Sequence, residues 1–173
     1  MKHMISVSFR ILYEVIGRHL PKTYTPFVGW FGKMIRRFLA RGFVASMGRD
    51  VVIEKNATIP FSLHIGDCSG IGINALIEPE VSIGDFVMMG PDVCIYTQNH
   101  SHILCDIPFC KQGYETRLPV KIGNNVWIGT RSIILPGVEI GDNVVIGAGS
   151  VVTKAVPTGV LAAGAPAKAL KEL

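Results

Sequence analysis

Residues 122–147 read IGNNVWIGTRSIILPGVEIGDNVVIG, with isoleucine returning every sixth position at Ile122, Ile128, Ile134, Ile140 and Ile146. Upstream, the same six-residue step links Met47, Ile53, Ile59, Ile65, Ile71, Ile77, Ile83, Met89 and Ile95, and Val152 carries it forward. All 15 lead positions are apolar, 12 of them isoleucine, and glycine follows the lead in nine. Four residues after each lead stands Val, Ala, Ser or Leu, with Asn99 the one departure. A six-residue step turns an α-helix by about 240° and would scatter the isoleucines around its axis. A three-sided coil accommodates them instead. Each hexad supplies one short strand and a bend, three hexads close a turn, and five coils stack as parallel strands about 4.8 Å apart. The lead and the small fifth residue should point inward, and glycine should relieve the backbone at the bend.

The period fails once. From Ile95 to Ile122 the step is four hexads plus three, so the phase slips and a non-repetitive loop must leave the prism around 101–117. Loops held by a rigid scaffold are where function concentrates. Composition agrees with a narrow aliphatic interior: 173 residues, 49% hydrophobic but only 8% aromatic and 17% charged, with 19 glycines. Such a chain is neither disordered nor collagen-like. Its longest stretches without Asp, Glu, Lys or Arg run from Val93 to Cys105 and from Ala155 to Ala167, both short of the ~20 residues that a membrane-spanning helix needs. Four cysteines without CxxC spacing and no signal-peptide pattern point to reduced thiols and a cytoplasmic protein.

The hexads resemble the left-handed β-helix, hexapeptide-repeat acyltransferases, pattern [LIV]-[GAED]-x-x-[STAV]-x. The likeness is strongest from Ile83 to Ala167 and includes Thr97-Gln98-Asn99-His100-Ser101-His102, the Gln112–Thr116 stretch QGYET, Trp127, Leu135-Pro136-Gly137-Val138, Thr153-Lys154 and Gly164-Ala165-Pro166-Ala167-Lys168. It looks like the branch of maltose, galactoside and colanic-acid-type sugar O-acetyltransferases. That resemblance implies a left-handed coil, a homotrimer with sites at subunit interfaces, acetyl-CoA as co-substrate without a metal, and a sugar or glycan acceptor.

Acetyl transfer to a hydroxyl needs a base, and histidine titrates in the right range. Of His3, His19, His64, His100 and His102, the resemblance selects His100, which also directly follows Asn99, where the inward rule breaks. Counted in hexads, His64, Ser82 and His100 are each one coil apart, so they should share a column with Ser82 one rung from His100. Asn99, His102, Ser82 and Asn74 are candidate acceptor contacts. For acetyl-CoA the resemblance matches Trp127, Thr130, Ala148, Thr153, Lys154, Lys168 and Lys171; at Lys168 and Lys171 relatives often carry arginine, and lysine keeps the charge without the bidentate fork.

Residues 1–45 lie outside the repeat as a helical extension; 46–160 form the β-helix, and 161–173 a C-terminal tail. The extension is basic: residues 1–50 carry nine Lys/Arg against two acids. Ile5, Phe9, Leu12, Ile16 and Leu20 share one helix face opposite Arg10, Glu14 and Arg18; Phe27, Trp30, Phe31, Met34 and Phe38 form a second stripe flanked by Lys33, Arg36, Arg37 and Arg41. Capping the open prism end or packing on a neighbouring subunit is the favoured role, and peripheral contact with an anionic membrane the alternative. No nucleic-acid-reading motif accompanies the charge. A serine or xenobiotic acetyltransferase, a γ-type carbonic anhydrase with three histidines on zinc, and a non-catalytic scaffold are the rival readings.

Overall fold

The computed structural model describes residues 2–173, with side chains from residue 4 onward. Fifteen hexads wind into a three-sided parallel β-helix. The first face stacks Ser46–Met47, His64–Ile65, Val81–Ile83, Val120–Ile122 and Glu139–Ile140. The second carries Val52–Ile53, Gly70–Ile71, Met88–Met89, Trp127–Ile128, Val145–Ile146 and Val160–Gly164, and the third Leu76–Ile77, Cys94–Ile95, Ile133–Ile134 and Val151–Val152. Parallel partners such as His64 and Ser82, or Val52 and Gly70, are separated by one full coil of three hexads.

The inward rule holds throughout. Every lead isoleucine is buried, Met47 and Met89 are half-buried, and every fifth residue is buried except Asn99. Where the fifth residue is serine, its hydroxyl donates to a backbone carbonyl: Ser69 to Gly84 (2.7 Å), Ser132 to Gly129 (2.8 Å) and Ser150 to Gly147 (2.6 Å). Such bonds remove the penalty of burying a hydroxyl.

The glycines after the leads stand where a Cβ would clash, not where φ is positive. Their φ values are ordinary; the left-handed backbone occurs two residues later, at Asp50, Asn56, Cys68, Asn74, Glu80, Phe86, Asp92, Asn125, Arg131 and Asn143, and at Gly137 and Gly149. The i+1 glycine is required by stacking: a Cβ on Gly66 would lie 2.6 Å from the Gly84 carbonyl carbon, and one on Gly123 would lie 2.8 Å from that of Gly141. Asn and Asp tolerate the left-handed turn, and their side chains stack into ladders. Asn56 donates to Asn74 (3.1 Å), Asn74 to Asp92 (2.8 Å) and Asn125 to Asn143 (2.7 Å).

Helices α1 (Lys2–Val15) and α2 (Gly29–Arg41), joined through a 3₁₀ turn at Gly17–His19, cover the first coil. With no coil above it, that coil would leave carbonyls orphaned. Side chains satisfy them: Arg36 Nε donates to Ile53 O (2.6 Å), Tyr13 to Ala57 O (2.7 Å), Arg18 to Asn56 O (3.2 Å), and Arg10 to Ile59 O. Arg36 also reaches Leu20 O (3.1 Å) and Pro21 O (2.8 Å) and lies 3.6 Å from buried Glu54. Burial pushes the Tyr13 phenol upward, so it stays a neutral donor. Arg10, Glu14 and Arg18 turn toward the prism beside buried Tyr13 and half-buried Phe9, whereas Ile5, Leu12 and Ile16 of the apolar stripe are exposed.

The C-terminal tail is strand. Val160–Gly164 continues the second face in parallel with Val145–Ile146, and Ala167–Glu172 pairs antiparallel to it. Two outcomes test this architecture by urea denaturation. Gly66→Ala is expected to cost about 1–3 kcal/mol through overpacking. Arg36→Leu is expected to cost about 3–5 kcal/mol by stranding Glu54, with much of the loss recovered in Arg36→Leu/Glu54→Leu.

Candidate active site

After Ile95 the chain leaves the edge between the third and first faces as a hairpin whose arms are 97–101 and 113–118. Leu118 N–H donates to Thr97 O (2.8 Å), Glu115 N–H to Asn99 O (2.9 Å), and Ser101 N–H to Gly113 O (3.0 Å). Its root is fixed by charge. The Glu78 carboxylate, from the coil nearer the cap, accepts from Thr97 N–H (2.8 Å), the Thr97 hydroxyl (3.2 Å) and Arg117 (3.4 Å), and Arg117 also donates to Thr97 Oγ1 (2.9 Å). Farther out, the Gln112 amide donates to Ile103 O (2.8 Å) and Ile107 O (2.7 Å) and accepts from Ile103 N–H (2.9 Å).

His100 sits on the outgoing arm, exposed, bridged to Tyr114 across the hairpin. Its Nδ1 lies 3.1 Å from Gly113 O. A carbonyl only accepts, so in the neutral ring Nδ1 carries the hydrogen and Nε2 presents its lone pair. The Tyr114 ring lies against the imidazole, centroids 4.0 Å apart and planes at 30°, which limits ring rotation. His102 Nδ1 is 3.2 Å from His100 O and 3.6 Å from Glu115 Oε1. Asn99 is exposed beside them.

The expected column of His64, Ser82 and His100 does not form. The hairpin lengthens its coil, so Ile122 stacks on Ile83 and Lys121, not His100, is the rung partner of Ser82. Ser82 lies on the first face between His64 and Lys121, and His64 bonds Ser46 Oγ (2.8 Å). The His3 side chain lies outside the described residues. Among the described residues, no group of three His, Cys, Asp or Glu side chains is placed to hold a metal ion.

The candidates for acetyl-CoA spread around the third face. Thr153 and Lys154 follow Val151–Val152 on the same edge as the hairpin, two coils farther from the cap than Cys94–Ile95. Thr130 and Ala148 stack on the opposite edge, between the second and third faces, which also carries Asn74. Trp127 is half-exposed on the second face between Met88 and Val145. With Phe86, Val145 and Leu173 it lines a largely apolar cavity of about 300 Å³. Lys168 and Lys171 are exposed on the antiparallel strand of that face, opposite Ala163 and Leu161. Thus Trp127, Thr130, Ala148 and the two tail lysines gather on one side of the prism, and His100 stands at another edge. Tyr114, Gly113, Glu78 and Arg117 were not assigned roles from sequence. Tyr114 and Gly113 lie in the QGYET stretch, but only the folded hairpin puts them opposite His100.

Residues 119–154 match the family described as bacterial transferase hexapeptide (six repeats). Galactoside O-acetyltransferase of Escherichia coli K12 is 38% identical over 144 residues, covering 80% of this chain and 68% of that protein. Nodulation protein L of Rhizobium meliloti is 41% identical over 152 residues, covering 85% and 80%. A solved galactoside acetyltransferase in complex with coenzyme A superposes with a TM-score of 0.77 at 31% identity, over 99% of this chain and 82% of that one.

The hairpin root makes its own prediction. Arg117→Ala removes charge-assisted bonds to Glu78 and Thr97, each worth ~1.5–3 kcal/mol. Limited trypsin digestion should then cut after Lys111 roughly tenfold faster, with cleavage of the prism itself unchanged.

Proposed function

The chain belongs to the hexapeptide-repeat acetyltransferases, a family of left-handed parallel β-helices, and from that premise we propose that it transfers acetyl from acetyl-CoA to a hydroxyl of a sugar or glycan, with His100 as general base. The observation that carries the assignment of the base is the bond from His100 Nδ1 to Gly113 O, which commits the other ring nitrogen to proton acceptance. Acetyl-CoA supplies an activated thioester carbonyl. His100 Nε2 takes the proton from the acceptor hydroxyl as its oxygen attacks that carbonyl. The resulting imidazolium is stabilised through Nδ1–H by the carbonyl of Gly113 and returns the proton to the departing sulfur. Asn99 and His102, exposed on either side of the base in sequence, are placed to contact the acceptor.

The donor chemistry of the second face fits the co-substrate. An apolar shelf of Met88, Trp127 and Val145 suits the methylenes of a pantetheine arm, and the exposed ammonium groups of Lys168 and Lys171 suit phosphates. Gly149, next to Ala148, has open space where a Cβ would stand, so the backbone there is accessible. Lys154 and Thr153 continue the polar rim along the hairpin edge.

Because His100 and the Trp127 side of the prism occupy different edges, the reading includes a homotrimer in which the hairpin of one copy faces the coenzyme surface of the next. Cyclic packing of this kind repeats one heterologous contact three times and completes three equivalent sites. Asn74 belongs to the coenzyme-side edge in this arrangement. Ser82 stays on the first face.

His100→Ala is expected to lower kcat by about 10²–10⁴-fold, the usual contribution of a general base, while acetyl-CoA affinity by calorimetry stays within a few-fold of wild type. Lys168→Ala should show the reverse split, a raised KM for acetyl-CoA with kcat little changed. Near wild-type turnover by His100→Ala in a thiol-release assay would overturn the assignment.

A further inference from the structure

The two-helix cap turns several polar groups to the prism beside buried Tyr13, Leu39 and Ala40: Arg36 is fully buried against Ile53 O, and Arg10 and Arg18 clasp Glu14 while bonding carbonyls of the first coil. Many apolar side chains are left exposed on its outer surface. On α1, Met4, Ile11, Leu12 and Val15 are 45–73% exposed. On and just before α2, Phe27 is 96% exposed, Trp30 62%, Met34 55% and Phe38 64%. These residues bracket the outward direction of α2, opposite the buried stripe of Gly29, Gly32, Arg36, Leu39 and Ala40. Exposed apolar side chains in this number mark an interaction site.

Charge identifies the partner. Lys33, Arg37 and Arg41, spaced four apart on α2, run along one border of the apolar face, and Lys22 lies in the preceding loop. The acids of the extension are already engaged, Glu14 by Arg10 and Arg18 and Asp50 by Arg37. Two copies meeting cap to cap would therefore oppose like charges without acids to answer them, which disfavours that end-to-end contact. An anionic, apolar surface satisfies both features at once. An amphipathic layer with aromatic and aliphatic residues on one side and a basic border lies in the interfacial plane of a bilayer. Among the described residues no helix is long and apolar enough to cross a membrane.

We infer that the outer face of the α1/α2 cap docks on an anionic lipid bilayer, with Phe27, Trp30, Met34 and Phe38 entering the interface and Lys22 and Lys33 facing the headgroups, while Arg41 is held on Gly48 O (2.6 Å). This inference is independent of the acetyl-transfer reading, because it rests on the cap and not on the hairpin.

The test is flotation of the full chain with vesicles of phosphatidylcholine containing phosphatidylglycerol, against vesicles of phosphatidylcholine alone. The expected result is co-flotation with the anionic vesicles, weakened by high salt, and a blue shift of Trp30 emission in a Trp127→Phe background. Phe27→Ser/Met34→Ser should lower the partition coefficient roughly tenfold or more. The same variant should keep the wild-type sedimentation coefficient and wild-type acetyl transfer to a soluble acceptor. Failure of the wild type to float with anionic vesicles, or undiminished flotation of the variant, would overturn the inference. So would a fall in the variant's sedimentation coefficient, because the face would then be a contact between protein copies.

Discussion

Hydrogen bonding between residues one full coil apart is the constraint from which the rest of the molecule follows. Most of the strands are two residues long, too short to persist except as rungs of a ladder. Stacking at about 4.8 Å brings the turns of successive coils so close that the residue after the lead is often glycine, as at Gly66 and Gly84. It also leaves each end of the prism with unmatched backbone groups. At one end Arg36, Tyr13, Arg18 and Arg10 answer them. At the other, an antiparallel strand at Ala167–Glu172 finishes the second face.

The same ladder determines where chemistry can sit. A rung cannot be lengthened without breaking the stack, so extra residues must leave at an edge and return in phase. The hairpin does this between Ile95 and Ile122, and its root is held by Glu78 and Arg117. His100 thereby gains a fixed backbone acceptor and a stacked ring at an exposed position, a combination the prism faces do not offer. The cost of this geometry is separation. Trp127 and the lysines of the last strand stand on another side of the prism, which is why the proposed site joins two copies.

Most of the fold was legible because one residue class, the lead isoleucine, reports position directly. Asn99, the one fifth residue that is neither aliphatic nor serine, marks the hairpin's start. What sequence left hidden is equally specific. The glycines after the leads looked like turn residues, but steric crowding between coils explains them, and the left-handed turns fall on Asn, Asp and others two places later. Ser82 was matched with His100 by counting residues, which cannot register an insertion that restores the column with Lys121. The N-terminal stripes were visible, but which side faced the prism was not. The unpaired carbonyls of the first coil drew the arginines inward, and Ile5, Leu12 and Ile16 of the apolar stripe turned out.

The measurement that bears most directly on the account is complementation between two variants, each damaged in one half of the site and assayed at acetyl-CoA well below the KM of the Trp127 variant. His100→Ala and Trp127→Ala, each purified, are unfolded together, refolded as a mixture and assayed for acetyl transfer. If His100 of one copy works with the coenzyme surface of the next, one contact in four in a random mixture pairs two intact halves, and activity should return to about a quarter of wild type. Activity no higher than that of the parents, in a mixture shown by mass spectrometry to contain mixed oligomers, would contradict it.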